Sequence, residues 1–163
     1  MVDQLHQDYI FNSPLETGVR SLCILAVDET VKYDLQQLLA FDHIVVHSGD
    51  MVNAPSSLHP NVVQRNGELL IRRSLVEKGL LLMESKMLLD KFATSNGFQY
   101  SATELAVVFV ESLTNSYVSD LCTRSRWAVE MHKASGDDLF KGVFRHAFDR
   151  WTHEFQIAEL PVS

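Results

Sequence analysis

The sequence predicts a mainly helical α+β domain. Three observations carry that reading. Apolar residues recur at three- and four-residue spacing through most of the chain, the signature of helices with one buried face. Helix-start residues precede these runs at Ser13-Pro14, Asp34 and Thr103. The one strong strand signal is Asn96-Gly97, which sits between Phe92 on one side and Phe98 and Tyr100 on the other, a hairpin cue. A chain of 163 residues, 46% apolar and 21% charged, is long enough for one core, or for a core with an appendage.

The elements follow in order. Ser13 caps a helix that starts with Pro14, and Glu16 completes a capping box; Leu15, Val19, Leu22, Cys23, Ala26 and Val27 then keep helical spacing. Asp34 caps a second helix, patterned by Leu35, Leu38, Leu39, Asp42 or His43, Val45 and Val46 and stopped by Gly49. Residues 48–66 hold Pro55 and Pro60 among serines and asparagines and form a long loop, read as a structured wrap across the surface. A third helix opens near residue 66 and runs to about residue 87. Gly79 costs it about 1 kcal/mol against Ala, so a kink or break is expected there. The hairpin follows over 88–102. Thr103 caps a helix over 104–113, another spans about 116–133, and a last one spans about 138–158. Three helices, a hairpin and a helix suggest a winged-helix domain over 1–114. The hairpin at about 88–102 is its wing, and 115–163 forms a C-terminal helical extension.

Charge and composition exclude several functions. No apolar run is longer than that at 105–110, which falls far short of the ~20 residues of a membrane span, and the start of the chain lacks a basic-then-apolar leader pattern. No membrane contact and a cytoplasmic location are therefore expected. Cys23 and Cys122 lie apart with no C-x-x-C and read as buried free thiols in a reducing compartment. Net charge is −7, whereas a chain that lives on nucleic-acid backbone is usually basic. Only residues 65–101 are basic, with 6 basic and 4 acidic side chains. Their Arg65, Arg72, Arg73, Lys86 and Lys91, with Asn96 at the hairpin tip, are the candidate contacts to DNA or to a partner. The run Gly79-Leu80-Leu81-Leu82-Met83-Glu84 argues against a base-reading helix, which needs polar and basic side chains on its exposed face.

Reactive constellations are weak. His43 and His47 share a helix face at the spacing of zinc hydrolases, with Asp50 and His59 in the following loop. The residues between the two histidines are Ile44, Val45 and Val46, so no general base stands there. A core-edge pair is the better reading, with His47, Asp50 and His59 structuring the loop. Ser48, His59 and Asp50 can be drawn as a triad, yet G-x-S-x-G is absent, as are G-x-x-x-x-G-K-[ST] and G-x-G-x-x-G. No catalytic residue, metal or cofactor is assigned. The last helix carries Phe140, Phe144, Phe148, Trp151 and Phe155 on one face. That stripe either closes the domain's own core or docks a partner, since aromatics dominate interface hot spots.

Taken together, FNSPLETGVRSLCIL, DLQQLLAFDHIVVHSGD, SLHP, RNGELLIRRSLVEKGLLLMESKML, YSATELAVVFVESL and DRWTHEF resemble the middle component of bacterial ABC-three-component systems, which include Lamassu-type anti-phage and anti-plasmid systems. The likeness covers nearly the whole chain in order, and none of these pieces is a catalytic motif. The resemblance implies a small, winged-helix-like, non-catalytic subunit. It would be encoded with an SMC-like ABC ATPase and an effector such as a nuclease, and would bridge the two and meet DNA indirectly through the complex. It carries no binding residue across. The alternative from the residues alone is a winged-helix DNA-binding regulator.

Overall fold

The computed structural model describes residues 13–51, 53–59 and 68–136. Helix α1 (Pro14–Leu25) leads to a two-residue strand β1 (Tyr33–Asp34) and helix α2 (Leu35–Val46), then to a 3₁₀ turn at Ser48–Asp50. Helix α3 (Glu68–Ser85), strands β2 (Leu89–Thr94) and β3 (Gly97–Ala102), and helices α4 (Glu104–Ser112) and α5 (Ser116–Ser135) complete the described part. The described part is thus mostly helical, with a small antiparallel sheet in the order β1-β3-β2. The last predicted helix, over 138–158, lies outside the described residues.

Local chemistry explains the boundaries. Ser13 Oγ accepts the Glu16 N–H at 3.2 Å, and Pro14 occupies the first turn, where its missing N–H costs nothing. A full capping box forms at α2. Asp34 accepts the Gln37 N–H at 2.8 Å, and Gln37 accepts the Asp34 N–H at 3.0 Å. Thr103 caps α4 and Asn115 caps α5 through their side-chain oxygens. Helix α3 ends in a Schellman motif. Met87 takes φ +60°, its N–H donates to Glu84 O, and the Leu88 N–H reaches back to Met83 O.

Helix α3 runs unbroken through Gly79, against the expected kink or break. The glycine serves packing. A Cβ on Gly79 would lie 2.7 Å from Gly18 N and 2.9 Å from Pro14 O, and a Cβ on Gly18 would lie 2.9 Å from Gly79 O. Two facing glycines let the backbones of α1 and α3 touch, and that close contact offsets the propensity cost. The hairpin turn also differs by one residue from the Asn96-Gly97 cue. Thr94 pairs with Gly97, so Ser95 and Asn96 form the tip and Gly97 takes φ +121°.

One core joins these elements. Leu22, Ile24 and Leu25 of α1 meet Leu38, Phe41 and Val45 of α2, Val76, Leu80 and Met83 of α3, and Leu121, Ala128 and Val129 of α5. The described part of the C-terminal extension therefore shares its core with the preceding helices. Strand β1, too short to show alternation, adds to the sheet by pairing Tyr33 with Tyr100.

Candidate functional site

The charged residues divide into an inward and an outward set. Asp42 is fully buried among apolar neighbours on α2. Its carboxylate accepts from Arg20 Nε at 2.6 Å and from Arg72 Nη1 at 3.0 Å, so it ties α1, α2 and α3 together. Arg20 Nη2 also donates to Thr17 Oγ1 at 3.3 Å. Burial by itself would raise the Asp42 carboxyl, but the two guanidiniums hold it below the usual carboxylate range. Arg72, a candidate DNA or partner contact by sequence, is only 15% exposed and points into this cluster. Arg20 and Asp42 were not singled out as a pair by sequence. The available signal was a charge of opposite sign inside each of two apolar helical runs.

The loop after α2 is held by side chains. Ser48 Oγ donates to Ser56 O at 3.1 Å, and the Gly49 N–H donates to Ser57 Oγ at 3.0 Å. The Leu58 and His59 N–H groups both return to Val46 O. Arg124 of α5, also missed by sequence, donates from Nε to Ser56 O at 2.8 Å and from Nη2 to Ser56 Oγ at 3.2 Å. His47 closes α2, its N–H donating to His43 O, and the two imidazole rings lie 4.9 Å apart. His59 Nε2 shares a 2.8 Å hydrogen bond with Tyr117 OH and faces His47 edge-on. Burial, followed by the positive field of Arg20, depresses His59 to about 4. The hydroxyl of Ser48 is thus engaged with Ser56 and the ring of His59 with Tyr117. Asp50 contributes backbone to the 3₁₀ turn. Among the described residues no group of three His, Cys, Asp or Glu side chains could hold a metal ion.

The outward set borders a groove of about 660 Å³ between α3 and the hairpin. Helix α3 supplies Arg73, Glu77, Leu81 and Glu84, the hairpin supplies Lys91, Asn96 and Phe98, and Asp34 with Gln36 closes the end. Leu81 is 64% exposed and Phe98 52% exposed, so the groove presents apolar side chains to water. The charges around them are mixed. Arg73 Nε lies 3.4 Å from Glu77 Oε1, and the Lys91 ammonium sits 4.1 Å over the Phe98 ring. Helix α4 exposes Leu105 and Val108 as well. Lys86, on the turn after α3, is exposed but does not line the groove. Arg65 and the aromatic stripe Phe140, Phe144, Phe148, Trp151 and Phe155 lie outside the described residues.

Apolar side chains ringed by charges of both signs line this groove, and the fold that carries it is a small helical α+β domain. The chain belongs to the family described as ABC-three component (ABC-3C) system Middle Component 2, which it matches over residues 10–154. It is therefore a component of a multi-part ABC system. No curated protein and no solved structure matches the chain. No described helix is long and apolar enough to cross a membrane.

Proposed function

We propose that this chain is a non-catalytic accessory subunit of a Lamassu-type anti-phage or anti-plasmid defence complex, bridging an SMC-like ABC ATPase and an effector. The family match over 10–154 carries the reading. The element order α1-β1-α2-α3-β2-β3 and the sheet order β1-β3-β2 support a winged-helix architecture, with the β2–β3 hairpin as its wing. The groove between α3 and the wing receives the effector. Its apolar centre at Leu81 and Phe98 suits an amphipathic segment, and the alternating signs of Arg73, Glu77, Glu84 and Lys91 suit a protein more than a phosphate backbone. The aromatic residues Phe144, Phe148 and Trp151 dock on the ATPase.

Co-expression of the tagged chain with its genomic neighbours tests both assignments. Recovery of an ABC ATPase and an effector in fixed ratio is expected. Leu81→Asp with Phe98→Ser should lose the effector and keep the ATPase, while Phe148→Asp with Trp151→Asp should do the reverse. A monodisperse chain that retains neither neighbour overturns the proposal. It would favour the DNA-binding regulator, for which binding to duplex DNA with a steep salt dependence is the required result.

A further inference from the structure

The two cysteines, 99 residues apart in sequence, meet in space. Cys23 Sγ of α1 and Cys122 Sγ of α5 lie 3.7 Å apart, both as free thiols. Their surroundings differ. Cys23 is 2% exposed and belongs to the core, whereas Cys122 is half-buried and reaches the surface of α5. We propose that Cys23 and Cys122 form a peroxide-oxidised dithiol site, in which Cys122 is attacked from solvent and Cys23 resolves it to an intramolecular disulfide. This inference is independent of the assembly proposed above.

The asymmetry sets the order of events. The Cys122 sulfur, hydrogen-bonded to Cys23 Sγ, is held below the usual thiol range, and Arg126 one turn along α5 adds to the effect. The Cys23 thiol is held above its usual range by that same hydrogen bond and by burial. The half-buried Cys122 sulfur is the one that solvent reaches, so it is the attacking group, and the core-buried Cys23 is the second thiol. The Cys122 thiolate attacks one oxygen of hydrogen peroxide, the O–O bond breaks, and hydroxide leaves and takes up a proton, giving a sulfenic acid. Cys23 then attacks the Cys122 sulfur. The S–S bond forms, the S–O bond breaks, and a second water departs with the Cys23 proton. Two thiols and one peroxide become one disulfide and two waters, with the sulfurs oxidised and the peroxide oxygens reduced. A disulfide here staples α1 to α5, two helices that share one core.

The test treats the native full-length chain with hydrogen peroxide, then denatures it in excess maleimide for intact-mass analysis. The untreated chain should take two maleimides. The treated chain should take none, weigh two hydrogens less, and yield linked tryptic peptides holding Cys23 and Cys122 that a dithiol reductant separates. The same treatment of Cys23→Ser should leave Cys122 as a sulfenic acid that dimedone labels, and in Cys122→Ser the buried Cys23 should keep its maleimide reactivity. Wild-type chain that still takes two maleimides after peroxide, or that links only between molecules, overturns the inference. So does equal or faster disulfide formation in the denaturant-unfolded chain, because the folded juxtaposition would then contribute nothing.

Discussion

Asp42 is the residue on which three helices converge. Removing its charge takes the carboxylate counter-charge from the buried Arg20 guanidinium, and breaking one partner of such a pair typically costs about 3–5 kcal/mol. Asp42→Asn should therefore lower the unfolding free energy by that order, read as a fall in the urea midpoint with the slope of the transition unchanged. Replacing Arg20 together with Asp42 by well-packed apolar residues should recover much of the loss, because both desolvated charges then disappear. Acid reads the same region through two groups. His59 binds its proton more weakly in the fold, near pH 4, than in the unfolded chain, near 6.5. The unfolded state therefore gains the proton first, and stability falls as the pH drops from about 6.5 toward 4. Asp42, depressed below its ordinary value, keeps its contribution above about pH 3.9 and loses it as the pH falls through its lower folded value. His59→Gln should flatten the upper part of the profile and leave the lower part, read as the urea midpoint at each pH. These residues were only partly legible in sequence. The histidines and loop serines announced a structured loop, but Asp42 read as one position of a periodic helix, since its arginine partners lie 22 and 30 residues away.

At the scale of elements, helix identity was plain because caps and periodicity are local. Ser13, Asp34, Thr103 and Asn115 each mark a start through a hydrogen bond made within three residues. Gly79 shows the limit of local reading. By propensity, Gly79→Ala gains about 1 kcal/mol in a helix interior. In place, the new methyl meets backbone atoms of α1 under 3.0 Å away, which no rotamer change relieves. Overpacking of this kind costs roughly 1–3 kcal/mol, so the net effect should be a lower thermal midpoint. A rise in the midpoint would show that α1 and α3 can part without loss. Strand β1 was invisible for a similar reason, because two residues carry no period and it exists only by pairing with β3.

At the scale of the molecule, three of the six basic side chains in this acidic chain's basic segment are in internal or local pairings. Of that segment, Arg72 is spent on Asp42, Arg73 faces Glu77, and Lys91 covers Phe98. What reaches solvent around the groove is apolar surface with both signs of charge. Leu81→Asp with Phe98→Ser should thus leave the unfolding midpoint nearly unchanged, since exposed substitutions shift stability within about 0.5 kcal/mol, while changing what the chain retains on co-purification. A large loss of stability would mean that these side chains serve the core instead.

The sequence by itself determined the described helices, the hairpin and a mainly helical α+β class, because each rests on spacing and capping within one or two turns. Its family resemblance to the middle component of ABC-three-component systems was likewise carried by an ordered string of short motifs. Only the tertiary structure decided that Arg72 turns inward, that Gly18 and Gly79 form a backbone contact, that Leu81 and Phe98 share a groove, and that Cys23 meets Cys122. Each of these joins residues far apart along the chain, and a single sequence encodes such meetings only through the packing of the whole core.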